Sequence, residues 1–164
     1  MIVKVLQKGA HDCGVACLAM ASGITYEDAY ETFKSIGLGK CRGRKQEFSS
    51  NSTELQNALA SVGVSSKLKR FKSFSALPQM AIVKVAKQIN GNWHWVFVGR
   101  DTELGLYLHD PSNSLPTFET IPLDVLCVDI SSFSPYGFYI EIGARNYSYL
   151  FNPISIKFKH PSKS

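Results

Sequence analysis

The sequence contains no apolar run approaching the roughly 20 consecutive residues that a bilayer-spanning helix requires. Its first six residues are too few for a secretory signal and lack a small-residue cleavage site. Internal repeats and low-complexity segments are also absent. These absences predict a single soluble domain that is made in the cytoplasm and leaves it only through a dedicated export system or by cell lysis.

Cysteine is scarce, with four residues in a chain of 164. Disulfide frameworks are typical of exported proteins, so in the absence of an export signal these four are expected to be free thiols. Cys17 and Cys127 lie in apolar segments and are predicted to be buried. Cys41 instead lies in the basic stretch 40–45.

Charged residues make up 19% of the chain and apolar residues 45%, which is ordinary for a soluble globular protein. The net charge is +5, and the basic residues gather at 40–45 and 67–72. Since no nucleic-acid motif accompanies them, we interpret these stretches as a solvated loop and the exposed side of a strand. No nucleic-acid partner is expected.

The first half of the chain is predicted to be helical. Asp12 is a candidate N-cap for a helix over 13–22, which Gly23 can end. This helix is apolar nearly all round and should be buried. A second helix begins after Thr25, and a third runs from Ser52 to a stop at Gly63.

The second half changes to the period of strands. Strands are predicted over 80–85, 93–100, 104–109 and 138–142. The Asn-Gly turn at 90–92 favours antiparallel hairpins, and the strand beginning at Trp93 is apolar on both faces and should be central in the sheet. The expected fold class is α+β, with an N-terminal helical part packed on a C-terminal antiparallel β-sheet.

Cys13 opens the first helix, where the unpaired N–H groups and the positive end of the dipole favour a thiolate. Gln7 lies six residues earlier, so its amide can curl back beside the sulfur. There it could stabilise an oxyanion together with the Cys13 backbone N–H. The chain therefore offers a candidate nucleophile and an oxyanion hole formed by Gln7 and Cys13.

A base and a group to orient it follow later in the chain. His94 lies on one predicted strand, and Asp110 ends the next, sixteen residues on. A cysteine near the N-terminus with a later histidine and aspartate is typical of an imidazole-activated thiol nucleophile.

Gln7 before the Asp12-Cys13-Gly14 triplet, His94 before an apolar strand and Asp110-Pro111 together resemble the C39 peptidase family. These are papain-like cysteine peptidase domains attached to transporters that export bacteriocins and other peptides. The resemblance covers 1–142, so 143–164 is interpreted as a C-terminal extension of the same domain. It implies a papain-like fold and a catalytic set of Cys13, His94, Asp110 and Gln7.

The resemblance also implies a reaction and a substrate class. The enzyme would hydrolyse peptide bonds, with cleavage after a Gly-Gly pair in leader-type peptides as the family's preference. Its partners would be a peptide or protein substrate and, in trans, a separate transporter or secretion system. Trp93 and Trp95, which flank the histidine, are candidate substrate-binding residues.

Two functional alternatives stay open at this point. The same thiol chemistry could serve an amidase, deamidase or transglutaminase-like enzyme, as in a toxin or a phage-borne hydrolase. The domain could also be a catalytically silent module that docks peptides. Retention of all four residues of the catalytic set disfavours the silent module.

Other histidines could compete for the role of base. His11 precedes the helix and should face solvent, and strand alternation directs His109 to the face opposite Asp110. On ligand types alone, a zinc site could be assembled from Cys13, Cys17, His94 and His109. That spacing matches no structural zinc pattern, so no metal and no cofactor are predicted.

Overall fold

The computed structural model describes residues 1–86 and 93–145. Within these residues three helices come first, followed by a sheet of seven strands. The helices are α1 (Cys13–Ser22), α2 (Tyr26–Ser35) and α3 (Ser52–Ser61). The strands are β1 (Val64–Arg70), β2 (Met80–Ala86), β3 (Trp93–Asp101), β4 (Gly105–His109), β5 (Thr117–Phe118), β6 (Val128–Asp129) and β7 (Ser134–Arg145). The predicted α+β class is therefore confirmed.

The strands are ordered β1-β7-β2-β3-β4-β5-β6 across the sheet. Neighbours are antiparallel except for the short β5–β6 pair, which is parallel. β3 lies in the middle, as its two apolar faces predicted. β7 is longer than the expected strand over 138–142 and runs between β1 and β2, so the boundary proposed at 142 falls inside it. The predicted turn at 90–92 lies outside the described residues.

A hydrophobic core fills each face of the sheet. On one face the helices contribute residues such as Leu18, Phe33 and Leu59, which cluster with Trp95 and Phe97 of β3. The other face is a second cluster, formed mainly by β-branched and leucine side chains of β2, β3 and β4. Each large apolar side chain buried in this way contributes about 1.5–3 kcal/mol. β3 is thereby fixed from both sides.

Side-chain caps set the starts of two helices. The Thr25 hydroxyl accepts the Asp28 N–H at 3.0 Å, as expected for the start of α2. At α3, Asn51 and Glu54 form a capping box, in which each side chain accepts the other's backbone N–H. α1 ends at Gly23, whose φ of 68° is the left-handed conformation that glycine adopts without cost.

The loop between β5 and β6 differs from expectation. Cys127 was predicted to be buried but is half-exposed, and Leu123 and Leu126 are 92% and 76% exposed. The loop turns at Asp124, which has a positive φ of 60°. Cys127 packs against the helix-side core, whereas Leu123 and Leu126 face solvent. Cys17 is fully buried in α1, as predicted.

None of the helices in 1–86 and 93–145 has the length and apolarity that crossing a bilayer demands.

Candidate active site

Cys13 is the first residue of α1, and its side chain is half-buried. The rest of α1, from Gly14 to Ser22, is buried. The buried residues therefore fix α1 within the core. The N-terminal end of the helix, where backbone N–H groups are unpaired, places the Cys13 thiol at the surface of the domain. This is the placement that the sequence predicted for Cys13.

Asp12 occupies the N-cap position, but its carboxylate does not cap α1. It turns back to accept the backbone N–H groups of Lys8 and Gly9, each at 2.9 Å, and the Tyr26 hydroxyl at 2.5 Å. The expectation that this side chain caps the helix is therefore wrong, because the upstream loop and α2 supply better donors. Burial and the bond to Asp12 raise the pKa of Tyr26, so its hydroxyl stays a donor.

The Asp12 carboxylate thus holds the loop 8–12 in a fixed shape against α2. Asp12 itself is only 4% exposed, so its charge depends on these three donors for solvation. Tyr26 was not singled out from the sequence. The only local signal was its place directly after the Thr25 cap, which indicated a helix start and nothing more.

Gln7 lies at the other end of this loop. Its backbone N–H donates to the Pro111 carbonyl at 2.9 Å, and its Nε2 donates to the Gly9 carbonyl at 2.8 Å. The side-chain Oε1 is buried and has no hydrogen-bond partner among the described residues. An amide carries two N–H donors, so Nε2 retains one for a ligand.

His94 and Asp110 form a short hydrogen bond, 2.6 Å between Nε2 and Oδ1. His94 is 3% exposed. The same Oδ1 accepts the backbone N–H and the hydroxyl of Ser112, each at 2.8 Å. Because Asp110 takes Nε2, the Nδ1 atom remains for another partner, and Cys13 lies close enough to the ring to act on its charge.

These contacts determine the protonation of the pair. Burial lowers the pKa of His94, but the hydrogen bonds to Asp110 and Cys13 outweigh it and raise that pKa to about 9. Burial raises the pKa of Asp110, but His94 and Ser112 outweigh it and lower that pKa to about 2. At neutral pH the imidazole is therefore a cation that is hydrogen-bonded to the Asp110 carboxylate.

The sheet register explains how the pair meets. Phe97 of β3 pairs with His109, the last residue of β4, so β3 extends beyond β4 toward His94. Asp110 lies just past the end of β4, where it can turn to the imidazole. The structure thus brings Cys13, His94 and Asp110 together, with Gln7 joined to the same turn through Pro111.

The competing histidines lie elsewhere. His11 is exposed on the loop before α1, as predicted. His109 is buried in the helix-side core, contacts the rings of Phe97 and Tyr107, and interacts through Nε2 with the Ile2 carbonyl at 2.9 Å. Burial lowers its pKa. In the described part of the chain, no three His, Cys, Asp or Glu side chains group as a metal site would require.

The two tryptophans flanking His94 differ in exposure. Trp95 is 1% exposed and donates its indole N–H to the Ser50 carbonyl at 3.0 Å, whereas Trp93 is 37% exposed. Ser50 was not anticipated from the sequence, where it is one of several loop serines without any distinguishing signal. Its Oγ lies where a Cβ on Gly14 would come within 2.5 Å, so it packs beneath the start of α1.

Comparisons with known proteins bear on the family and on the fold. The model of the Peptidase C39 family matches residues 2–120. Among solved structures, the fold is similar to that of a double glycine motif protease from an AMS/PCAT transporter, crystallised in complex with the leader peptide. The TM-score is 0.57 at 17% identity, over 87% of this chain and 91% of that one. A search of curated protein sequences returned no match.

Proposed function

The chain belongs to the peptidase C39 family, and we propose that it is a cysteine peptidase in which Cys13 is the nucleophile and His94 the general acid and base. The observation that carries this proposal is the ring of His94, which is shared by Asp110 through a 2.6 Å hydrogen bond and by Cys13. A thiol held at a helix N-terminus beside an imidazolium is the arrangement that makes sulfur nucleophilic.

The first half of the reaction follows from these positions. His94 holds the proton of the Cys13 thiol, and the sulfur freed in this way attacks the carbonyl carbon of the scissile bond. The oxyanion that forms accepts hydrogen bonds from Gln7 Nε2 and the Cys13 backbone N–H. His94 then gives its Nδ1 proton to the leaving amine, and the C–N bond breaks to leave a thioester on Cys13. Asp110 keeps the imidazole oriented and stabilises its positive charge.

The second half regenerates the enzyme. Neutral His94 takes a proton from water, the resulting hydroxide attacks the thioester carbonyl, and the carboxylate product leaves as the sulfur is released. The Gln7 amide serves both halves because the oxyanion forms at the same place each time. One N–H of Gln7 Nε2 remains after the bond to Gly9, and Oε1 has no partner among the described residues. No other hydrogen bond therefore competes with the oxyanion for the remaining N–H.

The proposed substrate is a leader-type peptide cut after a Gly-Gly pair. Support comes from the family and from the solved relative, whose structure is that of a double glycine motif protease in complex with a leader peptide. That relative derives from a transporter, and we extend the proposal to a transporter or secretion system acting with this chain as a separate partner.

Alkylation of Cys13 by iodoacetamide tests the thiol chemistry. The rate for Cys13 should exceed that for exposed Cys41 in the same molecule, and His94→Ala should reduce it to the Cys41 rate. His11→Ala is the matched control and should leave the rate unchanged, since His11 is exposed on the preceding loop. Equal rates for Cys13 and Cys41 in the unmodified protein would overturn the proposed nucleophile.

Peptide libraries read by mass spectrometry test the reaction. Cleavage after Gly-Gly that is lost in Cys13→Ser supports the proposal. A mass shift of glutamine or asparagine peptides without chain cleavage would identify a deamidase instead. Tight binding of Gly-Gly peptides with no turnover would indicate a docking module.

A further inference from the structure

A cavity of about 300 Å3 is lined by Trp93 and Trp95, the two chain neighbours of His94. One wall is Trp93, the chain neighbour of His94, and another is Ser50, which packs against Gly14 at the start of α1. Consecutive Cα atoms are about 3.8 Å apart, so a peptide whose scissile bond reaches the nucleophile passes within a few residues of this cavity. The cavity therefore has the position of a substrate subsite.

Two lysines line this cavity, and one of them has no carboxylate partner among the described residues. Lys45 and Lys84 both line it, and none of the described lining residues is Asp or Glu. Lys45 is one of two cations that share the Glu54 carboxylate, the other being Arg42. Lys84 makes no ion pair with any described residue, and 1–86 and 93–145 contain all 13 Asp and Glu residues of the chain.

Aromatic rings hold the Lys84 ammonium in place. Its Nζ lies 5.0 Å from the centroid of Trp93 on β3 and 4.9 Å from that of Tyr136 on β7, the two strands on either side of β2. Such cation–π contacts orient the ammonium but leave N–H donors unused. Because the ring faces also displace water, a charge–charge contact made there is stronger than one in open solvent.

We propose, on the premise of the proposed peptidase function, that this cavity binds a carboxylate of the peptide substrate and that Lys84 is the residue that selects it. The carboxylate comes from an Asp or Glu side chain near the scissile bond or from the C-terminus of the peptide. The Gly-Gly preference concerns the cleaved bond itself, whereas Lys84 selects charge at a neighbouring position.

Matched peptides test this selectivity. Each pair differs only by Glu against Gln at one position around the scissile bond, and a further pair carries a free or an amidated C-terminus. We expect kcat/KM to favour one carboxylate peptide by about fivefold, the effect of one partly exposed ion pair. The preferred pair identifies the source of the carboxylate, and the preference should shrink as ionic strength rises. Equal kcat/KM within every pair would overturn the inference.

Variants of Lys84 assign the effect to one side chain. Lys84→Met keeps the stem against Trp93 and should remove the preference, so that the Glu and Gln peptides are cleaved with equal kcat/KM. Lys84→Glu should reverse it, favouring a Lys peptide over the Glu peptide. Lys67→Met, on exposed β1, is the control and should behave like the unmodified protein. Should the Lys84 variants not fold, the salt dependence of the unmodified protein decides.

Binding to a Cys13→Ala variant separates this inference from the peptidase proposal. Trp93 fluorescence reports occupancy without any chemistry at the sulfur. A Glu peptide that binds more tightly than its Gln partner upholds the carboxylate subsite even where no peptide is cleaved, in which case only the peptidase proposal fails. Indistinguishable binding of the two peptides overturns the subsite even where cleavage proceeds.

Discussion

The backbone N–H of Gln7 donates a hydrogen bond to the carbonyl oxygen of Pro111, 2.9 Å away. This bond joins the segment before α1 to the turn that carries Asp110. The proposed oxyanion donor and the group that orients the base are therefore fixed to one another by the main chain. A substitution at Gln7 should therefore shift the turn that carries Asp110, and a substitution in that turn should shift Gln7.

Gln7→Ala should lower kcat/KM by about 10²–10³-fold, because one oxyanion donor is lost. Alkylation of Cys13 by iodoacetamide forms no oxyanion, so its rate should stay the same. Steady-state cleavage and alkylation kinetics measured on the same preparation give both values. Gln46→Ala, at an exposed loop position, serves as the control. A parallel fall in both rates would mean that Gln7 acts on the thiol and not on the oxyanion.

Asp110→Asn should lower stability in a defined pH window. The pKa of His94 is about 9 in the folded protein against an ordinary 6.5. Its contribution to the free energy of unfolding is therefore complete below pH 6.5 and is lost as the pH rises through 9. The folded pKa of Asp110 is about 2 against 3.8, so its contribution is present above pH 3.8 and is lost as pH falls through 2. The loss of stability caused by Asp110→Asn should therefore be greatest between pH 3.8 and 6.5.

Urea unfolding of both proteins across that pH range measures the difference. Glu103→Gln, which removes a carboxylate at an exposed turn, should show no such window. A difference between the Asp110→Asn and unmodified proteins that stayed constant from acid to alkaline pH would contradict the ion pair.

Tyr26→Phe should destabilise the protein by about 1–3 kcal/mol, because the buried Asp12 carboxylate loses its hydroxyl donor. It should also reduce kcat more than it raises KM, since the loop 8–12, which connects the proposed oxyanion residues Gln7 and Cys13, loses one of its attachments. Tyr30→Phe is a suitable control, as its hydroxyl has no hydrogen bond to a described residue. A purely structural role for Tyr26 would change the unfolding midpoint and leave kcat intact.

Gly14→Ala should destabilise the domain by about 1–3 kcal/mol through overpacking. The added Cβ would lie 2.5 Å from the Ser50 Oγ, beneath the turn that presents Cys13. Ser50→Ala alone should cost little, because its buried Oγ has no hydrogen-bond partner among the described residues. The double variant should recover part of the loss, which a double-mutant cycle of unfolding free energies would detect. Strict additivity would show that the clash lies elsewhere.

Local signals in the sequence account for the helical half of the fold. The start of α2 at Thr25 and the end of α1 at Gly23 follow from capping chemistry and from glycine's access to positive φ. The strands β2, β3 and β4 follow from apolar patterning, and their antiparallel pairing follows from short connections. The candidate triad came from residue types in a known order, which is independent of detailed geometry.

Features that depend on contacts between residues far apart in the chain could not be predicted from the sequence. β7 enters the sheet between β1 and β2, and no local pattern specifies which edge a late strand will join. The Asp12 carboxylate could accept backbone N–H groups either from α1 or from the loop 8–12. The Tyr26 hydroxyl of α2 adds a donor on the side of the loop, and this favours the loop. Cys127 packs against the helix-side core and is nevertheless half-exposed, a placement that hydropathy does not record.

The pairing of Phe97 with His109 leaves Asp110 as the next residue after the ladder. A slip of one residue in β4 would place His109 where Asp110 now stands, exchanging an acidic partner of His94 for a basic one. Under the proposed mechanism, misaligned molecules would then be inactive even if they were compact and well packed. Activity in this domain thus reports the alignment of two strands to within a single residue, and turnover becomes an assay of correct folding.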